Sequence, residues 1–267
     1  MKDIEYQLLS AFSGVGCKGS PHRVIINSGA IDEAQYLDYS SEVSPDIVVV
    51  IPEEQINSTD ISPRIFHHGQ EVLFCGSGAM ACAWMLYSRL EQQEPLQNNP
   101  KFKIHLPNKD LSVLKTAKGL SMEVNAALQA KRVRIGPWEA ILRHQVLDSV
   151  EVAAHYVIVE IESAAELRYL RPNLKQLCRY TNKALIVTAL GRADYREDYC
   201  MRYFAPQFGN DEDSATASAN SYLMKYWQLK LNKNRLQGRQ LSNLGALFSG
   251  TVRGSHVSLS GKFVART

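Results

Sequence analysis

Apolar residues along this chain fall into two kinds of run. Val24-Ile25-Ile26, Ile47-Val48-Val49-Val50-Ile51, Tyr156 to Ile161 and the run from Leu185 are rich in β-branched residues and close on Gly, Pro or Asn, the pattern of strands. Segments 31–41 and 164–180 have helical spacing. Within the second, Arg171-Pro172-Asn173 predicts a break and restart, because proline cannot continue a helix and asparagine readily starts one. Two more apolar helices are predicted at Met80 to Leu90 and Ser218 to Leu229, each led in by a run of tiny residues.

The order of these elements repeats. Arg64-Ile65-Phe66 is echoed by Arg202-Tyr203-Phe204, an offset of 138 residues, and each copy runs on to the small residues before its helix. At the same offset the strand from Ile47 falls on the strand from Leu185. Further on, Leu114 to Val124 with its Lys118-Gly119 turn resembles Ser249 to Leu259 with Arg253-Gly254, after a gap of three. Features shared in one order predict two like halves, 1–128 and 129–267, each made of strands, one central helix and more strands. A ligand cleft between the halves is then the first place to expect chemistry.

Composition narrows the function. Over 267 residues the formal charge is only +3, from 30 Lys+Arg and 27 Asp+Glu, and the basic residues are scattered. This argues against a nucleic-acid or membrane-surface partner. No apolar run approaches the roughly 18 residues of a membrane helix, and the start lacks the order of a secretory leader. Five cysteines without framework spacing read as reduced thiols of a cytoplasmic protein. Neither CxxC nor HExxH occurs, so no metal site is expected.

The two helix starts are the sharpest chemical signal. Cys75-Gly76-Ser77-Gly78-Ala79 enters the first helix through glycines, and Asp213-Ser214-Ala215-Thr216-Ala217-Ser218 enters the second. Small residues let a ligand approach the backbone, and the unpaired first amides favour a carboxylate or a developing enolate oxygen. Close helix–sheet packing selects Gly and Ala as well. A phosphate loop is a poorer fit, since no GxxxxGK[ST] is present and Cys75-Gly76-Ser77-Gly78-Ala79 is not GxGxxG.

These residues resemble the PhzF family of isomerases, relatives of diaminopimelate epimerase. The family pattern R-x-F-x-P-x-x-E-V-x-L-C-G-H-A-T is matched by Arg64, Phe66, Glu71, Val72, Cys75 and Gly76. The more specific R-x-F-x-P-x-x-G-x-x-E-D-P-A-T-G-S-A is matched by Arg202, Phe204, Pro206, Gly209, Glu212, Asp213, Ala215, Thr216, Ser218 and Ala219. Gly19-Ser20-Pro21 with Val24 is similar to the family's G-N-P-A-A-V. The resemblance runs from about residue 10 to the end. It implies an α+β fold of two pseudo-symmetric halves, each a curled, barrel-like mixed sheet around a central helix, and often a homodimer. It also implies isomerisation of a small carboxylate-bearing metabolite by general acid/base catalysis, with neither metal nor organic cofactor.

The resemblance carries the family's glutamate onto Asp46, its histidine after Cys-Gly onto Ser77, and its Asp and Ser onto Asp213 and Ser218. Asp46 is one methylene short of glutamate, and Ser77 cannot titrate near neutrality, though it can donate a hydrogen bond or cap the helix. Ser214 and Ala217 replace the family's Pro and Gly, and Ser214 is a second candidate cap. Cys75 is equivalent in the repeat to Asp213, a place where the epimerase relatives carry a catalytic cysteine, and a thiol at a helix start is a candidate base. The expected catalytic groups are therefore Asp46, Asp213 and Cys75. The expected substrate-binding residues are Ser20, Gly76, Ser77, Gly78, Ala215, Thr216 and Ser218. His22, His67 and His68 read as surface or packing residues, and Trp84, Tyr87, Tyr222 and Tyr226 as core. The rival reading is a non-catalytic metabolite-binding relative that lost the usual Glu and His.

Overall fold

Strand Ile47–Pro52 is buried from Ile47 to Ile51, so both of its faces are covered and the run does not alternate with polar residues. This run anchors the first of two compact units in the computed structural model, which describes residues 5–27, 29, 32–93, 100–117, 119–126, 130–152, 155–191 and 195–266. One unit is Met1–Val124 with Ser260–Thr267; the other is Asn125–Leu259. The expected boundary at residue 128 lies outside the described residues.

In chain order the first unit contributes β1 (Gln7–Ala11), β2 (Ser20–Asn27), α1 (Glu33–Glu42), β3 (Ile47–Pro52), β4 (Asp60–Ile61), β5 (Arg64–His67), β6 (Gln70–Glu71), α2 (Gly76–Gln93), β7 (Phe102–Leu106), β8 (Lys109–Thr116) and β9 (Gly119–Asn125). The second contributes β10 (Lys131–Arg132), α3 (Gly136–Leu142), β11 (Asp148–Val152), β12 (Tyr156–Glu160), α4 (Ala164–Tyr169), α5 (Leu174–Tyr180), β13 (Ala184–Leu190), β14 (Tyr199–Phe204), α6 (Ala217–Leu231), β15 (Arg235–Gln240), β16 (Ala246–Arg253) and β17 (His256–Gly261). β18 (Phe263–Ala265) rejoins the first unit by pairing with β1, Leu9 opposite Ala265, so the closing residues do not belong with 129–259 as the sequence suggested.

Within the first unit one ladder runs β18-β1-β2-β3-β5-β6 and another β9-β8-β7-β4. β1 and β2 are antiparallel, β2 and β3 are parallel across α1, and β3 and β5 are antiparallel. The second unit repeats that sequence of pairings: β11 and β12 antiparallel, β12 and β13 parallel across α4 and α5, β13 and β14 antiparallel. The break inside 164–180 occurs where proline demands it, with α5 capped by Asn173, whose side chain accepts from the Gln176 amide.

α2 lies against β1, β2, β3, β7 and β8. Ala79, Met80, Ala81, Cys82, Ala83, Leu86 and Tyr87 are all buried, as expected of a helix that is apolar around its circumference. α2 begins at Gly76, four residues before the apolar run starts. In the second unit α6 lies against β15 and β16. The Arg-x-Phe motifs do the same work in both units. Arg64 and Arg202 each send Nε and Nη2 to the two oxygens of a glutamate, Glu71 and Glu212, and each guanidinium lies over the ring two residues on, Phe66 and Phe204.

Gly238 shows how tightly α6 is seated. It faces Tyr199 across the β14–β15 ladder, and the Tyr199 ring lies over the bare backbone there. From that position the ring stacks on Trp227 at 6.3 Å, and its hydroxyl donates to Asn220 Oδ1 at 2.9 Å. A methyl on Gly238 would enter the ring's own volume. Gly238→Ala should lower stability by about 1–3 kcal/mol in urea unfolding, the usual cost of overpacking. Among the described residues no helix is long and apolar enough to cross a membrane.

Candidate active site

In the first unit the start of α2 and the start of β2 build one hydrogen-bonded chain. Cys75 precedes the helix. Its carbonyl accepts from the Ala79 amide at 3.0 Å and its sulfur from the Gly78 amide at 3.4 Å, so the cysteine, not Ser77, caps α2. Ser77 lies in the first turn, buried, with its Oγ 3.3 Å from Cys75 Sγ and 3.0 Å from His22 Nε2. The other ring nitrogen of His22 is 3.0 Å from the carbonyl oxygen of Ser20, which is itself buried. Gly78 has a packing reason: a Cβ there would sit 2.7 Å from Ile65 Cδ1 and 3.3 Å from the Cys75 sulfur.

His22 is fully buried, the packing position of the two expected for it, at a polar site inside the unit. Burial pushes its pKa down to about 4. The Ser20 carbonyl opposes that shift and nearby His67 adds to it. His22 is therefore neutral at physiological pH. Position 22 gave little warning of this, because its neighbours Pro21 and Arg23 carry no metal or triad spacing.

Asp46 stands just before β3, its amide donating to Val43 O at 2.9 Å. Its carboxylate is ion-paired with Arg23, Nε to Oδ2 at 2.7 Å. Arg23 also donates to the Tyr39 hydroxyl at 3.0 Å and lies 4.4 Å over the Tyr6 ring. His67 and His68 flank the turn before Asp46. Their rings are 3.9 Å apart, with His67 Nε2 3.3 Å from Pro45 O and His68 Nδ1 2.6 Å from Ser44 Oγ. Four of the departures from the family patterns thus form two touching pairs. His22 and Arg23 replace two alanines, Ser77 replaces a histidine and Asp46 a glutamate; His22 touches Ser77, and Arg23 touches Asp46.

In the second unit the loop into α6 is held by β15. Gln240, buried at the end of that strand, donates to Asp213 O at 2.6 Å and accepts from the Thr216 amide at 2.8 Å. Asp213 Oδ2 accepts from Thr216 Oγ1 at 2.6 Å. Ser214 does not cap the helix, because α6 begins later, at Ala217. Thr216 takes the cap position without a side-chain cap bond, and the Ser214 carbonyl accepts from Ser242 Oγ at 2.7 Å. Ala215 is buried beside them. Ser218 Oγ accepts from the Tyr156 hydroxyl at 3.0 Å. Burial raises the pKa of Tyr156 against the opposing Ser218 contact, and Tyr222 and Asp213 push it the same way as burial. Tyr203 is likewise held neutral by burial, with Tyr156 and Asp213 adding to the effect. Tyr156, Tyr203 and Gln240 escaped the sequence reading, since nothing local marks them.

Comparison with known proteins bears on the family and the fold. Residues 9–265 match the family described as phenazine biosynthesis-like protein, PhzC-PhzF. An uncharacterised isomerase of Halalkalibacterium halodurans is 26% identical over 266 residues, covering 96% of this chain and 94% of that protein. A PhzF family phenazine biosynthesis protein from Enterococcus faecalis superposes with a TM-score of 0.85 at 21% identity, covering 98% of this chain and 96% of the other. A probable proline racemase from Agrobacterium radiobacter superposes with a TM-score of 0.62 at 10% identity, over 99% and 91% of the two chains. The fold is α+β and diaminopimelate epimerase-like.

Proposed function

This chain belongs to the phenazine biosynthesis-like (PhzC-PhzF) family, and from that premise we propose that it is an isomerase or epimerase moving a proton at carbon in a small carboxylate-bearing metabolite. The supporting observation is the proton-carrying group at the head of α2: Cys75, half-buried, with Ser77 and His22 hydrogen-bonded behind it. A proton next to a carboxylate is weakly acidic, and its removal becomes feasible when the developing enolate oxygen meets oriented donors. The first amides of α2, at Gly76 and Ser77, are such donors, and the helix dipole adds to them. Cys75 and Asp46 are the proton carriers proposed for the first unit, with Ser20 and Ser77 shaping their surroundings. Asp213 is the carrier proposed for the second, with Ala215, Thr216 and Ser218 at the head of α6 as substrate-binding residues.

The test is solvent deuterium uptake into a panel of cyclic and acyclic amino and hydroxy acids. One of them should exchange at carbon. Cys75→Ala and Asp213→Asn should each slow that exchange by about 100-fold or more, the usual contribution of a positioned acid or base. A second reading is favoured by the Arg23–Asp46 ion pair, which commits the carboxylate expected to act as acid or base. In that reading the protein binds such a metabolite without turning it over. Tight binding of one acid with no deuterium uptake would decide for it.

A further inference from the structure

Hydrogen-bond direction along the chain Cys75–Ser77–His22–Ser20 can be worked out from one end. The Ser20 carbonyl only accepts, so His22 Nδ1 must carry the proton that bridges their 3.0 Å separation. Burial keeps the ring neutral, and a neutral imidazole protonated at Nδ1 has a bare Nε2. Nε2 therefore accepts from the Ser77 hydroxyl at 3.0 Å. With its only proton committed to His22, Ser77 Oγ faces Cys75 Sγ as an acceptor at 3.3 Å. The sulfur must then donate, which requires the thiol. A thiolate there would face oxygen lone pairs.

We propose that His22 is a positioning residue which, acting through Ser77, holds Cys75 as the protonated thiol and so assigns it the acid half of the reaction. The proposal rests on the isomerase reading above and reverses the role that the helix start alone suggested for Cys75, that of a base. Opposed influences act on the sulfur. The Gly78 amide, donating at 3.4 Å, favours negative charge, whereas the Ser77 lone pairs oppose it. In the reaction a carboxylate takes a proton from substrate carbon and becomes neutral. The Cys75 S–H bond breaks as the new C–H bond forms, and the negative charge ends on sulfur beside the Gly78 amide. His22 itself does not change protonation. The charged or titratable groups near it among the described residues are His67, which presses the ring toward neutrality, and the Arg23–Asp46 pair, Arg23 next to it on β2 and Asp46 just before β3.

The experiment reads the thiol, not turnover. Alkylation of Cys75 by iodoacetamide is followed against pH by peptide mass spectrometry in a Cys178→Ser background, because Cys178 is the exposed cysteine. In His22→Leu the Ser77 hydroxyl is released and can turn to the sulfur. The midpoint should fall by about one pH unit, and alkylation at neutral pH should speed up about tenfold. Adding Ser77→Ala should cancel that fall, because the donor is gone. Simple loosening of the fold would instead bring the midpoint toward that of the urea-unfolded chain in both variants. An unchanged or raised midpoint in His22→Leu, or a fall that survives Ser77→Ala, overturns the proposal. The parent protein supplies an independent check through the imidazole nitrogen shifts of His22. They should show hydrogen on Nδ1 and none on Nε2 between pH 6 and 8, and the opposite tautomer also overturns it. Failure of deuterium uptake with these thiol results intact would remove the isomerase reading and leave the hydrogen-bond chain standing.

Discussion

Glu212→Ala should cost about 3–5 kcal/mol of stability, while Glu71→Ala, its counterpart in the other unit, should cost no more than about 1 kcal/mol. The two pairs are alike in geometry. Arg202 reaches Glu212 by two bonds of 2.7 Å, and Arg64 reaches Glu71 by bonds of 2.8 and 2.7 Å. They differ in surroundings. The Arg202 side chain is 6% exposed and that of Arg64 is 39% exposed. Arg202 also donates to the Leu170 carbonyl at 2.6 Å, which ties the guanidinium to the break between α4 and α5. Losing Glu212 strands a buried cation. Losing Glu71 leaves a guanidinium that water can reach and that keeps Glu33 at 3.0 Å. Urea unfolding of the two variants measures the difference, and equal costs would refute the role assigned to burial.

Acid should destabilise the protein through His22 by about 3 kcal/mol between pH 6.5 and 4. The unfolded chain takes up this proton near the ordinary value of 6.5, whereas the folded protein resists it down to about 4. Between those values the unfolded state binds more protons, so stability rises with pH across the window and is flat above it. At roughly 1.4 kcal/mol per unit, the separation of the two values sets the size of the effect. His22→Leu should remove that part of the slope when stability is measured from pH 7 to pH 4, and a slope identical to the parent's would refute it. His105 acts with the opposite sign. Asp60 and Asp110 hold it charged, so its contribution is present at low pH and fades as pH rises through its elevated pKa.

Much of the architecture was legible in the chain because it depends on neighbours in sequence. The buried run at Ile47, the helix broken at Pro172 and the tiny residues before α2 and α6 each act over a few positions, where periodicity and backbone sterics decide the outcome. The Arg-x-Phe motifs marked equivalent places, and the structure shows why Arg, Phe and Glu recur together: the guanidinium bridges ring and carboxylate. Of the two roles open to Ser77, a hydrogen bond or the cap of α2, the cap went instead to the Cys75 sulfur.

The chemistry of the site was less legible. His22 and Ser77 are 55 residues apart, and Arg23 and Asp46 are 23 apart. Their contacts arise from the parallel register of β2 on β3, with His22 opposite Ile47, and from α2 packing on both strands. By itself the sequence pointed to the strand runs from Val24, Ile47, Tyr156 and Leu185, to the α-helices other than α3 among the described residues, to the family and to the candidates Cys75, Ser77, Asp46 and Asp213. Only the tertiary structure decided which of them touch, that His22 is dry and neutral, and that Asp46 is paired. Hydrogen-bond direction and desolvation depend on groups brought together through space, and no local pattern of residues encodes either.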